Sequence, residues 1–178
     1  MRKSKTTVKV STIILLAVFF VSGCKKTEDT DAGLRAFVSK YAITSTSNNE
    51  AVLISTWLDQ MQKNQENVQT TATGINYIMQ KEGEGPTVVA GDTVTVKYIG
   101  LFVNGNIFDE SANHGGTLKY VHKTDYMIKG WEEGIEVLNK GASAAFLIPS
   151  VKAYGSTGYG PVAPNVPLIF IIEIEDIK

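Results

Sequence analysis

A tryptophan flanked by two glycines stands in the run Ile128-Lys-Gly-Trp131-Glu-Glu-Gly134. The run overlaps residues 131–138, the one helix that we predict in the C-terminal part of the chain. Strand patterns surround it, because residues 93–99 alternate between apolar and polar side chains, and residues 146–148 and 168–172 are short apolar runs. Strands that do not alternate with helices predict an α+β fold with an antiparallel sheet.

Further short runs lie on either side of this tryptophan. In chain order they are Val96-Lys-Tyr98 with Gly100, Phe108-Asp109, Ala153-Tyr154-Gly155 and Leu168-Ile-Phe170. Their order and spacing resemble the FKBP-type peptidyl-prolyl cis-trans isomerases over residues 74–178. The resemblance implies a curved antiparallel sheet of five or six strands wrapped over one short α-helix, with a pocket between them. The pair Asn104-Gly105 separately predicts a tight type I′ hairpin.

The activity that this resemblance implies is the acceleration of rotation about X–Pro bonds. That rotation has a barrier of about 18–20 kcal/mol and takes roughly tens to hundreds of seconds without a catalyst. The planar amide is more polar than the twisted one, so an apolar pocket with a few oriented hydrogen bonds favours the twist. Lowering the barrier by about 4 kcal/mol accelerates the reaction about a thousandfold. No metal and no organic cofactor is expected.

The residues of the expected site are assigned by the resemblance. The catalytic group is Tyr98, Phe108, Asp109, Trp131, Tyr154 and Phe170, and the substrate-binding group is Leu118, Tyr120, Met127, Ile128, Tyr159 and Val162. Trp131 is expected to form the floor beneath the proline ring, and Asp109 to hold aromatic hydroxyls beside the twisting amide. The backbone N–H of Ile128 and the hydroxyl of Tyr154 are expected to donate to substrate carbonyls.

Among the positions that depart from the pattern of the family, three lie at or near the expected site. Leu118 stands where Phe is frequent, and Tyr126 stands where the best-known members have Glu. His114 stands where a basic residue often supports the pocket Asp, which a His is expected to do only when protonated. We expect these changes to alter substrate preference and affinity for macrolide inhibitors more than catalysis. The alternative function is a chaperone or binding module of the cell envelope with little or no turnover.

The N-terminal residues resemble the leader of a bacterial lipoprotein. Four basic residues precede the mostly apolar residues 10–21, a run that is shorter than the roughly 20 residues needed to span a bilayer and that suits a signal peptide. Val21-Ser-Gly-Cys24 then resembles a lipobox, so residues 1–23 are predicted to be removed and Cys24 to carry the lipid anchor. Lys25 stands where an Asp would favour the inner membrane. The expected location is the cell envelope, at the outer membrane and facing the periplasm or the cell surface.

The composition changes near residue 74, because all five Pro and most Gly lie beyond it. Residues 24–73 are therefore predicted to form a tether with one or two helices, ahead of an isomerase domain at residues 74–178. One predicted helix carries an apolar stripe, which consists of Leu53, Ile54, Trp57, Leu58 and Met61. A helix packed on its own domain, or a partly ordered spacer, is favoured over dimerisation through residues 31–61.

Local signals within the tether predict its details. Ser47 and Glu50 have the spacing of a capping box at a helix start. Residues 62–73 are polar and predict a linker. Since every predicted pocket residue lies beyond position 97, residues 25–73 are expected to be dispensable for catalysis on short peptides.

The net charge of the chain argues against nucleic acid as a partner. The leader holds four basic groups and no acid, so residues 25–178 hold 13 basic and 18 acidic groups. A mildly acidic domain argues against a nucleic-acid partner, and the expected partners are proline-containing polypeptides. The single Cys excludes a disulfide within the chain.

Overall fold

The computed structural model describes residues 32–178, so the predicted signal peptide and Cys24 lie outside the described residues. The described α-helices are α1 (Ala32–Arg35), α2 (Val38–Tyr41), α3 (Glu50–Lys63) and α4 (Lys129–Ile135). The strands are β1 (Val68–Thr70), β2 (Asn76–Lys81), β3 (Glu84–Thr87), β4 (Thr93–Phe102), β5 (Ile107–Glu110), β6 (Leu118–Val121), β7 (Asn139–Lys140), β8 (Ser143–Ile148) and β9 (Leu168–Ile177). None of the helices in this part of the chain has the length and apolar character needed to span a membrane.

The main sheet is antiparallel and has the strand order β1-β2-β8-β9-β4-β5. β6 also pairs with β4, along residues 93–96, whereas β5 pairs along residues 99–101 of the same edge. β3 and β7 form a separate two-stranded sheet. The predicted α+β fold with an antiparallel sheet is confirmed. The main sheet has seven strands, because β1 adds an edge where the sequence predicted a linker.

Helix α4 packs on one face of the sheet, which we call the inner face. The two glycines around Trp131 allow this close approach. A Cβ atom at Gly130 would overlap the Ile148 side chain, and one at Gly134 would lie 3.0 Å from the ring of Phe146. The inner face consists of alternate residues of the central strands: Val94, Val96, Tyr98, Ala144, Phe146, Ile148, Leu168, Phe170, Ile172 and Ile174.

The opposite face of the sheet, which we call the outer face, is covered by helices α1 to α3. Its residues are the intervening ones of the same strands: Ile99, Leu101, Ala145, Leu147, Ile169 and Ile171. Tyr41, Trp57 and Met61 are fully buried in this layer, and the Trp57 Nε1–H donates to the Tyr41 carbonyl at 3.0 Å. The apolar stripe of α3 therefore packs on its own domain, as the favoured alternative predicted.

The interpretation of residues 62–73 as a linker is wrong. Gln62 and Lys63 end α3, and β1 pairs in register with β2, with Val68 opposite Ile78. The polar side chains of β1 did not reveal this pairing, because an edge strand can satisfy its backbone on one side and keep its side chains in water. The sheet thus contains residues from both sides of position 74.

The predicted capping box at the start of α3 is also absent from the described chain. The N-cap is Asn49, whose side-chain oxygen accepts the N–H of Val52 at 3.2 Å. Glu50 instead directs its carboxylate to Ser150, one hundred positions away, and accepts both the backbone N–H and the hydroxyl of that residue.

The β4–β5 connection differs from the predicted type I′ hairpin. A type I′ turn requires positive φ at both central residues, whereas only Gly105 of the Asn104-Gly105 pair has positive φ, at +87°. The Gly105 N–H donates to the Phe102 carbonyl at 2.9 Å, and the Phe102 N–H donates to Asn106. The connection is therefore longer than two residues, and β5 begins at Ile107.

Candidate active site

A cavity of about 350 Å³ opens beside α4 on the inner face of the sheet. The residues predicted to be catalytic all line it: Tyr98, Phe108, Asp109, Trp131, Tyr154 and Phe170. Four predicted substrate-binding residues also line it: Leu118, Met127, Ile128 and Tyr159. The sequence therefore identified side chains that the fold brings together, and the roles assigned to them stay predictions.

Trp131 forms the floor of the cavity, and only 2% of its surface is exposed. Its ring meets the rings of Tyr98 and Phe170 nearly at right angles, with centroids 5.3 Å apart in both pairs. Its Nε1–H donates to the Tyr120 hydroxyl at 2.8 Å. Edge-to-face contacts and a buried hydrogen bond together fix the indole, so the floor is a rigid apolar surface.

Two residues predicted to contact substrate lie outside the cavity lining. Tyr120 is buried behind Trp131, where its hydroxyl accepts the indole N–H. Val162 is buried in the core and forms a β-bridge with Tyr159, with two backbone hydrogen bonds of 2.9 Å. Both side chains support residues that line the cavity, and the direct contact with substrate predicted for them stays a prediction.

Asp109 stands at the rim of the cavity with both carboxylate oxygens engaged. Oδ2 accepts the Tyr98 hydroxyl at 2.8 Å, and Oδ1 lies 2.8 Å from His114 Nε2 and 2.9 Å from the Glu110 backbone nitrogen. Burial and then the Asp109 hydrogen bond raise the pKa of Tyr98 well above its usual value, so its hydroxyl stays protonated. The predicted contact with an aromatic hydroxyl is present for Tyr98.

The contact between His114 and Asp109 does not require a charged imidazole. A neutral imidazole that carries its proton on Nε2 can donate to Oδ1 across the observed 2.8 Å. The expectation that His114 supports the pocket Asp only when protonated is therefore too narrow.

Tyr154 and Ile128 present the polar groups expected to meet substrate. The Tyr154 ring is half-buried and stacks on Tyr159 at a centroid distance of 5.3 Å, and burial raises the pKa of Tyr154. Within residues 32–178 its hydroxyl makes no hydrogen bond. Ile128 is the N-cap of α4, and its carbonyl accepts from Trp131 and Glu132, while its N–H has no acceptor in the described chain. Both donors are therefore available to a ligand.

Tyr126 also lines the cavity, although it was not among the predicted site residues. Its side chain is 97% exposed, and the neighbouring rim residue Tyr159 is exposed as well. The available signal was its position two residues before Ile128, where the sequence departs from the family pattern. Tyr126 adds an aromatic surface at the mouth of the cavity.

Comparisons with known proteins agree on one family. A family model described as FKBP-type peptidyl-prolyl cis-trans isomerase matches residues 85–175. A probable FKBP-type peptidyl-prolyl cis-trans isomerase of Haemophilus influenzae is 38% identical over 112 residues, which are 62% of this chain and 46% of that protein. The probable isomerase FkpA of Neisseria meningitidis is 39% identical over 111 residues, 62% of this chain and 40% of that protein. The chain thus spans less than half the length of these curated relatives.

A solved structure gives the same result for the fold. The crystal structure of FkpA from Escherichia coli superposes with a TM-score of 0.63 at 32% sequence identity. The match covers 81% of this chain and 64% of that one.

Proposed function

Because the chain belongs to the FKBP-type peptidyl-prolyl cis-trans isomerase family, we propose that it catalyses cis-trans isomerisation of X–Pro bonds in exported polypeptides. The observation that carries the proposal is the cavity with Trp131 as its apolar floor and with a lining that consists mostly of aromatic and aliphatic side chains. An X–Pro amide needs no covalent catalyst, because only rotation about its C–N bond is required.

Each part of the cavity contributes to this reaction in a different way. The proline ring rests on Trp131, between Tyr98 and Phe170, where it is shielded from water. The less polar twisted amide is favoured there over the planar one. The Ile128 N–H and the Tyr154 hydroxyl donate to substrate carbonyls on either side of the twisting bond. The Asp109 carboxylate, held by Tyr98 and His114, shapes the electric field around that bond.

Asp109→Asn is expected to lower kcat/KM for a proline-containing peptide about tenfold, equivalent to about 1.4 kcal/mol of transition-state stabilisation. The change keeps the side-chain size but removes the charge and replaces one acceptor by a donor. A protease-coupled peptide assay measures the rate, and circular dichroism verifies folding. Asp59→Asn, at an exposed position of α3, is the matched control and should equal the parent. A folded Asp109→Asn with parental activity would show that Asp109 has no role in turnover.

The second candidate is a chaperone or binding module with little turnover. The exposed rings of Tyr126 and Tyr159 favour it, because they offer aromatic contacts to an unfolded chain without requiring bond rotation. The same assay, combined with a measurement of client aggregation, separates the two functions, since a parent protein that prevents aggregation but does not accelerate isomerisation supports the binding module. Macrolide inhibitors would occupy the same cavity in either case.

The proposal for the location rests on the sequence of the leader. Cys24 is proposed to carry lipid and to anchor the domain at the outer membrane, facing the periplasm or the cell surface. Dimerisation through residues 31–61 stays the less favoured alternative, because the stripe of α3 is used within the chain: Leu53, Trp57 and Met61 are buried against its own sheet.

Lipidation is expected to depend on Cys24 alone. Mass spectrometry of the protein made in a Gram-negative host should find a mature N terminus at Cys24 with a mass increase from acyl chains. Cys24→Ser removes the thiol that would bear the lipid, so its product should stay an unacylated precursor. A mature protein cleaved elsewhere, with an unmodified Cys24, would contradict the anchor.

A further inference from the structure

The N-terminal segment contacts the turn that carries Tyr154 through one carboxylate. Glu50, the first residue of α3, accepts the Ser150 hydroxyl at 2.7 Å and also accepts the Ser150 backbone N–H. Ser150 is only 4% exposed. A buried N–H that loses its acceptor is destabilised, so this pair holds the start of the turn in a defined place.

The carbonyl of Ser150 in turn restrains Ala153 and Gly155, the two neighbours of Tyr154 in the chain. The Ser150 carbonyl oxygen accepts the N–H of Ala153 at 2.8 Å and the N–H of Gly155 at 2.8 Å. The backbone N–H groups of the two residues next to Tyr154 in the chain therefore converge on one atom of a residue that Glu50 fixes. The direction of the Tyr154 ring depends on this backbone and on the stacking with Tyr159, because its hydroxyl makes no hydrogen bond within the described chain.

We infer that Glu50 is a positioning residue, which acts through Ser150 to hold the Tyr154 hydroxyl toward the substrate. The inference rests on the proposed function and deepens it, since it makes the helical N-terminal segment part of the apparatus of the cavity. Glu50 itself is not in the cavity lining. Its effect on catalysis is therefore exerted only through the turn at residues 150–155.

A double-mutant cycle tests this inference in the full chain. Tyr154→Phe deletes one substrate hydrogen bond and should lower kcat/KM roughly three- to tenfold. Glu50→Gln, which keeps the size but loses one acceptor, should lower kcat/KM by a similar factor in the parent. In the Tyr154→Phe background, Glu50→Gln should change kcat/KM by less than about twofold, because coupled residues are not additive. Equal effects in both backgrounds would overturn the inference.

Two further variants separate positioning from a general loss of stability. Ser150→Ala deletes the hydroxyl contact but keeps the backbone N–H, so it should give a smaller loss than Glu50→Gln. Glu66→Gln is the matched control, because Glu66 forms an ion pair with Lys40 in the same N-terminal segment. It should lower the melting temperature at most slightly and leave kcat/KM within about twofold of the parent.

Amide hydrogen exchange gives a readout that does not depend on activity. Glu50→Gln should lose protection at Ala153 and Gly155 but keep it at Ile171 in the central strand, whereas Glu66→Gln should match the parent at all three amides. Unchanged protection at Ala153 and Gly155 in Glu50→Gln would overturn the inference. A parent without isomerase activity would instead overturn the proposed function and, with it, the catalytic consequence, while the exchange data would still decide whether Glu50 holds the turn.

Discussion

Trp131→Ala is expected to lower the free energy of unfolding by about 3–5 kcal/mol, the usual cost of truncating a buried aromatic side chain. The change removes the edge contacts with Tyr98 and Phe170 and leaves the Tyr120 hydroxyl without its donor. Because small domains are stable by only about 5–15 kcal/mol, the variant should be partly unfolded at 37 °C. Urea denaturation followed by circular dichroism measures the loss.

Two companion variants keep this prediction informative. Tyr126→Ala truncates an exposed aromatic of the same cavity, so its free energy of unfolding should lie within about 0.5 kcal/mol of the parent. Trp131→Phe keeps an aromatic floor and loses the indole N–H, so it should fold and allow the contribution of the floor to turnover to be measured. Parental stability of Trp131→Ala would mean that the floor is not part of the packed core.

Trp57→Ala is expected to destabilise the domain as strongly as Trp131→Ala, by about 3–5 kcal/mol, although Trp57 does not line the cavity. Its side chain is 0% exposed, and α3 uses it to cover the outer face of the sheet. Its indole N–H also donates to the Tyr41 carbonyl, which joins α3 to α2. Removal of the ring should therefore loosen all three N-terminal helices together.

Val52→Ala is the matched control for this prediction, because Val52 lies in the same helix with 45% of its surface exposed. It should change the free energy of unfolding by less than about 0.5 kcal/mol. If Trp57→Ala instead unfolds at the same urea concentration as the parent, the helices contribute little to the stability of the sheet.

The expected contribution of Trp57 to stability limits the use of a shortened chain in tests of catalysis. A chain that starts near Thr71 retains every residue of the cavity, which was the reason to expect residues 25–73 to be dispensable for catalysis. It would also expose the outer face, including Leu101, Leu147, Ile169 and Ile171. Contiguous apolar surface of this kind favours aggregation, so such a chain is a poor test of catalysis.

Most of the residues that line the cavity were assigned by the resemblance to the isomerase family, and two features of the fold explain part of that pattern. The glycines on either side of Trp131 are required by the approach of α4 to Ile148 and Phe146, and alternation along β4 directs Tyr98 to the same face as Phe170. The interior position of Tyr120 could not be predicted, because a strand pattern gives the face of a side chain but not the layer in which its polar end lies.

The sequence of β9 does indicate that both faces of the sheet are covered, but the alternation of apolar and polar residues does not reveal it. β9 begins Leu168-Ile-Phe-Ile-Ile172, with apolar side chains at every position, which indicates a strand buried on both faces. The pair of Glu50 and Ser150 left no signal, since the two residues are one hundred positions apart and neither belongs to a repeating pattern. Long-range polar contacts of this kind depend on the completed fold.

The position of β9 has a consequence for how the molecule acquires its structure. Residues 168–177 are made after every other described strand, yet they lie between β8 and β4 at the centre of the sheet. Until they are present, β4 and β8 have no common partner, and neither apolar face can close. Folding dominated by such distant pairings is slow. Synthesis of residues 168–177 therefore sets the earliest moment at which the whole domain can fold cooperatively, whereas the pairs β2–β8, β4–β5 and β4–β6 do not require β9.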